Sequence, residues 1–184
     1  APGFPTYIIE TVLTTFNFLI GTGVNNTGNG NFAIGSRTFF SNGSGSNNLA
    51  IGNQACYSNG DGNLNIGIGL SALYTNVSGR LNLAIGYQSL FSNTGWGNLG
   101  IGWLSLFSTT TGQYNIGIGP QALYYNTVGN NNVAIGNSTG GNNNNCNNCV
   151  FLGYGASAAI NNLTNAIAIG YNASVGQSNS LILG

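Results

Sequence analysis

Few side chains in this sequence can carry covalent or acid–base chemistry, and their types and spacing sort them quickly. The stretch GNSTG at 136–140 has the G-x-S-x-G form in which a serine, here Ser138, stands exposed as a hydrolase nucleophile. Such a serine needs a base, yet the chain has no histidine, and the stretch falls in a repeat turn rather than between a strand and a helix. Cys146 and Cys149 form a C-x-x-C, the spacing of a local disulfide or of half a zinc site. Zinc would need further ligands from other chains, so a disulfide or free thiols are the readings left open, and Cys56 falls at a core position. Glu10 and Asp61 are the only carboxylates, too few for a glycosidase pair or a calcium-binding repeat. Arg80 lies close to one repeat beyond Asp61, which suggests a surface ion pair. The G-x-G pairs Gly67, Gly69 and Gly117, Gly119 lack the third glycine and the helix of a nucleotide loop. No catalytic, cofactor or metal site is expected, and the chain does not read as an enzyme.

Composition narrows the class further. The 184 residues are 42% apolar, enough for a core, but only 2% are charged and the formal net charge is zero. A basic nucleic-acid surface is therefore excluded. Asparagine (33 residues) and glycine (31) must supply the polar surface, a composition that fits an extracellular or particle-borne protein. Residues 7–20, YIIETVLTTFNFLI, are short for a membrane span of roughly 20 residues and include Glu10 and Asn17, so no span is expected. The N-terminus lacks the basic start of a signal peptide, although Ala1 is where a mature chain could begin. Six N-x-S/T sequons occur, about what chance gives in so asparagine-rich a chain.

The elements that position these residues are repeats. NLAIG stands at 48–52 and again at 82–86, and aligning its relatives on the closing glycine gives Gly35, Gly52, Gly69, Gly86, Gly102, Gly119, Gly136, Gly153, Gly170 and Gly184. The spacings are 17, 17, 17, 16, 17, 17, 17, 17 and 14 residues, the signature of stacked supersecondary units. Ile34, Ile51, Ile68, Ile85, Ile101, Ile118, Ile135 and Ile169, with Leu152 and Leu183, precede the glycine, and another large apolar residue stands two places earlier. Ala or Gly usually separates the two. This large-small-large alternation predicts a strand with its bulky residues on one face, and we assign the isoleucines to core or assembly contacts. Five places after the glycine an aromatic recurs, Phe40, Tyr57, Tyr74, Phe91, Phe107 and Tyr124, next to leucines such as Leu73 and Leu90. A second short strand is predicted there, with the rings stacking rung on rung at about 4.8 Å. Asn42, Asn59, Asn76, Asn93 and Asn126 follow, suited to turns and to amide ladders. Glycine and asparagine interrupt each unit too often for helix, so the fold class is all-β: a parallel β-solenoid of about ten coils, on the order of 45–50 Å long.

The tail NAIAIG-YNASVGQSNSLILG, with its 14-residue spacing and N-x-x-x-I/L-G strand, resembles the head repeats of trimeric autotransporter adhesins, the YadA-like or Hep/Hag repeats. The 17-residue units are similar to a variant found in bacterial and viral tail-fibre-type proteins, and the likeness covers residues 31–184. It implies a left-handed β-roll, a homotrimer whose Ile/Leu faces fill each roll and the contact between chains, and a role as surface adhesin or fibre shaft. This chain differs from such adhesins in having few charges and no heptad stalk.

Two domains are expected, a β-rich segment at 1–24 that does not follow the repeat and the β-roll at 25–184. Tyr7, Ile8, Ile9, Val12, Leu13, Phe16 and Phe18 make the leading segment a cap for the first coil or a strand donated to a neighbouring molecule, since a solenoid end is an open sheet edge. The function expected is architectural: a subunit of an extracellular fibre, filament or virion appendage, with itself as partner. The alternative is an adhesin head or fibre tip that binds a cell-surface glycan or receptor, with Trp96 and Trp103 as candidate contacts. Ice binding would need a regular threonine array, which is absent.

Overall fold

The large-small-large triplets all become strands. The computed structural model describes residues 17–21, 23, 25–141 and 145–184. In chain order the strands are β1 (Phe18–Ile20), β2 (Phe32–Ile34), β3 (Leu49–Ile51), β4 (Ile66–Ile68), β5 (Leu83–Ile85), β6 (Leu99–Ile101), β7 (Ile116–Ile118), β8 (Val133–Ile135), β9 (Val150–Leu152), β10 (Ser157–Ala158), β11 (Ile167–Ile169), β12 (Ser174–Val175) and β13 (Leu181–Leu183). Eleven of them form one parallel sheet in sequence order, and β10 pairs with β12 in a second, parallel sheet. Equivalent residues pair in register, as in Leu49 with Ile66, Ala50 with Gly67 and Ile51 with Ile68. The chain is thus an all-β parallel solenoid of about nine turns, with no helix among the described residues.

The solenoid begins earlier than the sequence suggests. Phe18–Ile20 pairs with Phe32–Ile34, the Phe18 and Phe32 rings stack at 4.8 Å, and the Asn31 N–H donates to Asn17 Oδ1 at 2.7 Å. NFLIG at 17–21 is a further copy of the motif, set 14 residues before NFAIG, and the boundary at 24/25 is corrected accordingly. Phe18, expected in a capping or donated strand, is a rung of its own chain; Tyr7, Ile8, Ile9, Val12, Leu13 and Phe16 lie outside the described residues.

The coil interior is thin. The small middle residue of each triplet points inward, so Ala33, Ala50, Ala84 and Ala134 are fully buried, while the bulky residues on either side face out. From the opposite wall come Phe39, Cys56, Leu73, Leu90, Leu106 and Leu123, also buried. A Cβ added at Gly117 would lie 2.8 Å from Ser105 Oγ and 3.1 Å from the Leu106 side chain, so two large residues cannot meet there. One coil inverts the arrangement. Phe151 replaces the small residue and is fully buried, and Gly140 stands where most other coils carry leucine; a Cβ at Gly140 would lie 2.8 Å from the end of the Leu123 side chain and 3.1 Å from the Phe151 ring.

The opposite wall is not the second strand expected. Gln54 and Cys56, Ser71 and Leu73, Gln88 and Leu90 take positive φ between 49° and 57°, and the segment is a chain of turns. Left-handed backbone costs these residues about 1–2 kcal/mol each. It lets their amides bond the adjacent coils, as in Leu73 N–H to Ser89 O (3.0 Å) and Gln88 N–H to Leu70 O (2.9 Å), while the leucine is buried. Only where Ala and Ser replace that pattern do the strands β10 and β12 form. The closing glycines are a second backbone requirement: at Gly69, φ is +133° and a Cβ would lie 2.5 Å from Gly86 O.

Buried amides hold the corners. Asn31, Asn48, Asn65, Asn82, Asn98, Asn115 and Asn132 form one ladder in which each Oδ1 accepts the N–H of the next coil, for example Asn65 N–H to Asn48 Oδ1 at 2.8 Å. Each Nδ2 donates to a carbonyl of the next coil, as from Asn65 to Gly79 O at 2.8 Å. A second ladder links Asn26, Asn42, Asn59, Asn76 and Asn93 through their side chains. It stops at Thr109, whose hydroxyl has no partner, and Asn126 Oδ1 above it is likewise unpaired among the described residues.

Two outcomes are expected from these arrangements. Thr109→Asn completes the second ladder and raises stability by about 1–2 kcal/mol, read as a higher thermal midpoint. Phe151→Ala lowers stability by about 3–4 kcal/mol and Gly140→Leu alone is destabilising by overpacking, whereas the double variant recovers most of both losses in urea unfolding.

Candidate functional site

Because the small residue is inside, each triplet presents two bulky side chains outward. Their columns run the length of the sheet, one from Phe32 through Leu49, Ile66 and Leu83, the other through Ile34, Ile51, Ile68, Ile85, Ile101, Ile118, Ile135 and Ile169. The isoleucines assigned to core or assembly are therefore half-buried or exposed on the outer face, with Ile34 37% and Ile135 43% exposed; they do not fill the coil. In the central coils this apolar face widens at both margins. Leu64, Leu81 and Tyr114 precede the strands, and Leu70, Tyr87 and Trp103 follow them, all exposed. Eleven rungs at about 4.8 Å and three residues at about 3.3 Å give a strip on the order of 500 Å², to which the central margins add. A typical monomer's largest apolar patch is about 300–600 Å². Arg37, Asp61 and Arg80, the charged residues described, stand outside the strand triplets and their flanking positions.

The aromatic column forms as expected. Phe40, Tyr57, Tyr74, Phe91, Phe107 and Tyr124 stack face to face with centroids 4.9, 4.7, 4.9, 5.2 and 5.2 Å apart, set by the rung spacing. Phe40 is exposed and the other rings are half-buried, so the ladder is a second surface feature. Its last ring, Tyr124, also meets Tyr125 edge-on at 4.6 Å. Tyr154 and Tyr171 stack at 5.4 Å on the coils beyond.

The chemically reactive residues are scattered. Ser138 Oγ donates to Asn137 Oδ1 at 2.8 Å in a turn. In place of an ion pair between Asp61 and Arg80, Asp61 Oδ1 accepts from Ser44 Oγ at 2.8 Å and the Arg80 guanidinium lies 5.7 Å from the Trp96 ring centroid. Trp96 and Trp103 are both exposed, but they flank opposite ends of the same strand, β6.

Cys146 and Cys149 are buried free thiols, so the disulfide left open by the sequence is not formed in this structure. They occupy the posts of the first amide ladder: the Asn132 amide donates to Cys146 O at 2.7 Å, and the Cys149 N–H donates to Asn132 Oδ1 at 3.0 Å. The hydrogen bond between the two thiols pulls Cys149 below its ordinary value and holds Cys146 above it. Burial alone pushes Cys56 up to about 12. Among the described residues no three His, Cys, Asp or Glu side chains cluster as metal ligands, and no helix is long and apolar enough to cross a membrane.

Sequence reasoning located the face and the ring ladder but not the direction of the face. The signal was present: a triplet whose small member is Ala or Gly in nearly every coil is tight on the small side and open on the bulky side. Comparison with protein-family models, curated proteins and solved structures finds no match.

The buried Cys56 thiol gives a pH signature. Its folded pKa lies above the ordinary 9.0, so its contribution is complete below pH 9 and is lost as pH rises from 9 toward 12. Over that interval the protein should lose up to about 4 kcal/mol more stability than Cys56→Leu, which places there the residue of the next coil, Leu73; denaturant unfolding of the two proteins across this pH range checks the difference.

Proposed function

We propose that this chain is a structural subunit of an extracellular fibre, filament or virion appendage, and that copies associate through the outward apolar face of the sheet into a trimer of left-handed β-rolls. The face itself carries this reading. It is a continuous apolar strip along the whole sheet, and it carries none of the described charges. A second copy has the same rung spacing, so its Leu and Ile columns can mesh with these along the full length; a partner of different period would match only locally. Extension beyond the trimer is a second part of the proposal. Its candidate joint is the leading segment, residues 1–16, donated as a strand to the sheet of a neighbouring molecule.

The alternative, an adhesin head that binds a glycan or receptor, draws on the exposed aromatic residues. Trp96 and Trp103 are separated by the length of a strand, and Trp96 is already covered by Arg80, which weakens them as one stacking platform.

Light scattering coupled to size-exclusion chromatography tests the face. The unaltered chain is expected to run as a trimer or larger, and Leu83→Asp with Ile85→Asp is expected to give a monomer that keeps its β circular dichroism, since both side chains already point outward. A monomeric unaltered chain would overturn the reading. Removal of residues 1–16 is expected to leave trimers but to abolish filaments seen by negative-stain electron microscopy.

A further inference from the structure

The ring ladder stops one rung short of an open groove. In successive coils the fifth residue after the closing glycine is Phe40, Tyr57, Tyr74, Phe91, Phe107 and Tyr124; in the next coil it is Gly141. Tyr124, with Tyr125 edge-on to it, lines a groove of ≈ 470 Å³, a size usual for small-ligand sites. Gly141 lies in that groove, so the missing ring and the space coincide. Tyr125 and Tyr154 bring two more aromatic side chains to its walls, and Gln121, Ser138 and Asn172 bring amides and a hydroxyl. Among the described residues that line it none is charged.

We infer that this groove is a binding site for a neutral pyranose ring, free or at the end of a glycan, stacked on Tyr124 in the place of the absent rung. One face of a pyranose is lined by C–H groups and packs on an aromatic ring, while its hydroxyls both donate and accept. The side-chain amides of Gln121 and Asn172 and the Ser138 hydroxyl also do both. Rings in the ladder lie 4.7–5.2 Å apart, a spacing that also suits a sugar ring lying on an aromatic face. An anionic sugar would find no countercharge in the groove. A flat aromatic ligand could occupy the same gap but would leave the polar rim unused. The groove lies mainly on the turn wall, and Tyr154, one of its walls, stands in the column of Tyr87 and Trp103 that borders the sheet face.

The test is ligand-observed NMR of the full chain with methyl glycosides of glucose, galactose, mannose and N-acetylglucosamine, followed by neutral oligosaccharides that end in the same sugars. Saturation transfer to at least one of them in the millimolar range is expected. Tyr124→Ala should weaken binding at least tenfold. Gly141→Tyr, which puts the protein's own ring into the gap, should abolish binding; its Cβ would approach Ser138 O at 3.0 Å, so its thermal midpoint is read alongside to show that the variant is folded. Binding only by oligosaccharides, lost in Gly141→Tyr, supports the glycan form of the site. Absence of binding by every sugar, binding by phenol alone, or sugar binding unchanged in both variants overturns the inference. The oligomeric state of the same samples reports separately on the fibre reading.

Discussion

The interaction on which the rest of the structure depends is the amide step between coils. An asparagine at the corner takes the next coil's N–H on its oxygen and gives its own N–H to that coil's carbonyl, as Asn65 does with Asn82 and Gly79. A solenoid corner otherwise buries backbone groups that neither sheet nor water can satisfy, at about 1–3 kcal/mol each. With the amide in place the corner can be dry and uncharged. The walls can then be very thin, because the polar groups hold the coil open while Ala and Leu fill it. Where the ladder ends, the interior changes with it: Cys146 and Cys149 take the two posts, and Leu163 and Ala166, also buried, follow one coil later.

A thin interior dictates which way the strands face. Only one layer of leucine fits between the walls, and it comes from the turn side, so the sheet must present its small residue inward and its bulky residues outward. The Gly140–Phe151 inversion demonstrates the rule by exception, since the large residue can enter from the sheet only where the turn side has given up its own. The apolar outer face is then a direct result of core geometry. A solenoid that cannot bury its largest residues internally is left with a surface that favours association.

Much of this was legible in the sequence, and the remainder was not for definite reasons. Period, strand positions, in-register stacking and the ring column follow from spacing alone. The rung at NFLIG was missed because its 14-residue offset breaks the period and because Leu19 replaces the small middle residue. The second strand was wrongly expected because Ala-Leu-aromatic segments have β-like composition, whereas left-handed conformations at Leu73 or Leu90 leave no mark in residue type. Leucine adopts them only because the adjacent coils supply hydrogen bonds and burial, which is tertiary information. The groove beside Tyr124 was visible only as an absence, the glycine at 141 in a column of rings.

In-register stacking also accounts for the near absence of charge. Any residue repeated in one column meets its copy about 4.8 Å away, and like charges at that distance repel by about 1 kcal/mol even in water. Repeated over the coils, a single charged column would cost a large part of an ordinary domain's net stability. Aromatic and amide columns do the reverse, since identical rings stack and identical amides bond. Arg37 and Arg80 conform to this rule: they stand in different columns, and Arg80 has Trp96, not another cation, as its neighbour on the next coil. Such a surface lacks the electrostatic repulsion that keeps most proteins apart, so its solubility has to come from asparagine, glycine and hydroxyl groups, and its contacts with other copies are decided by shape and period.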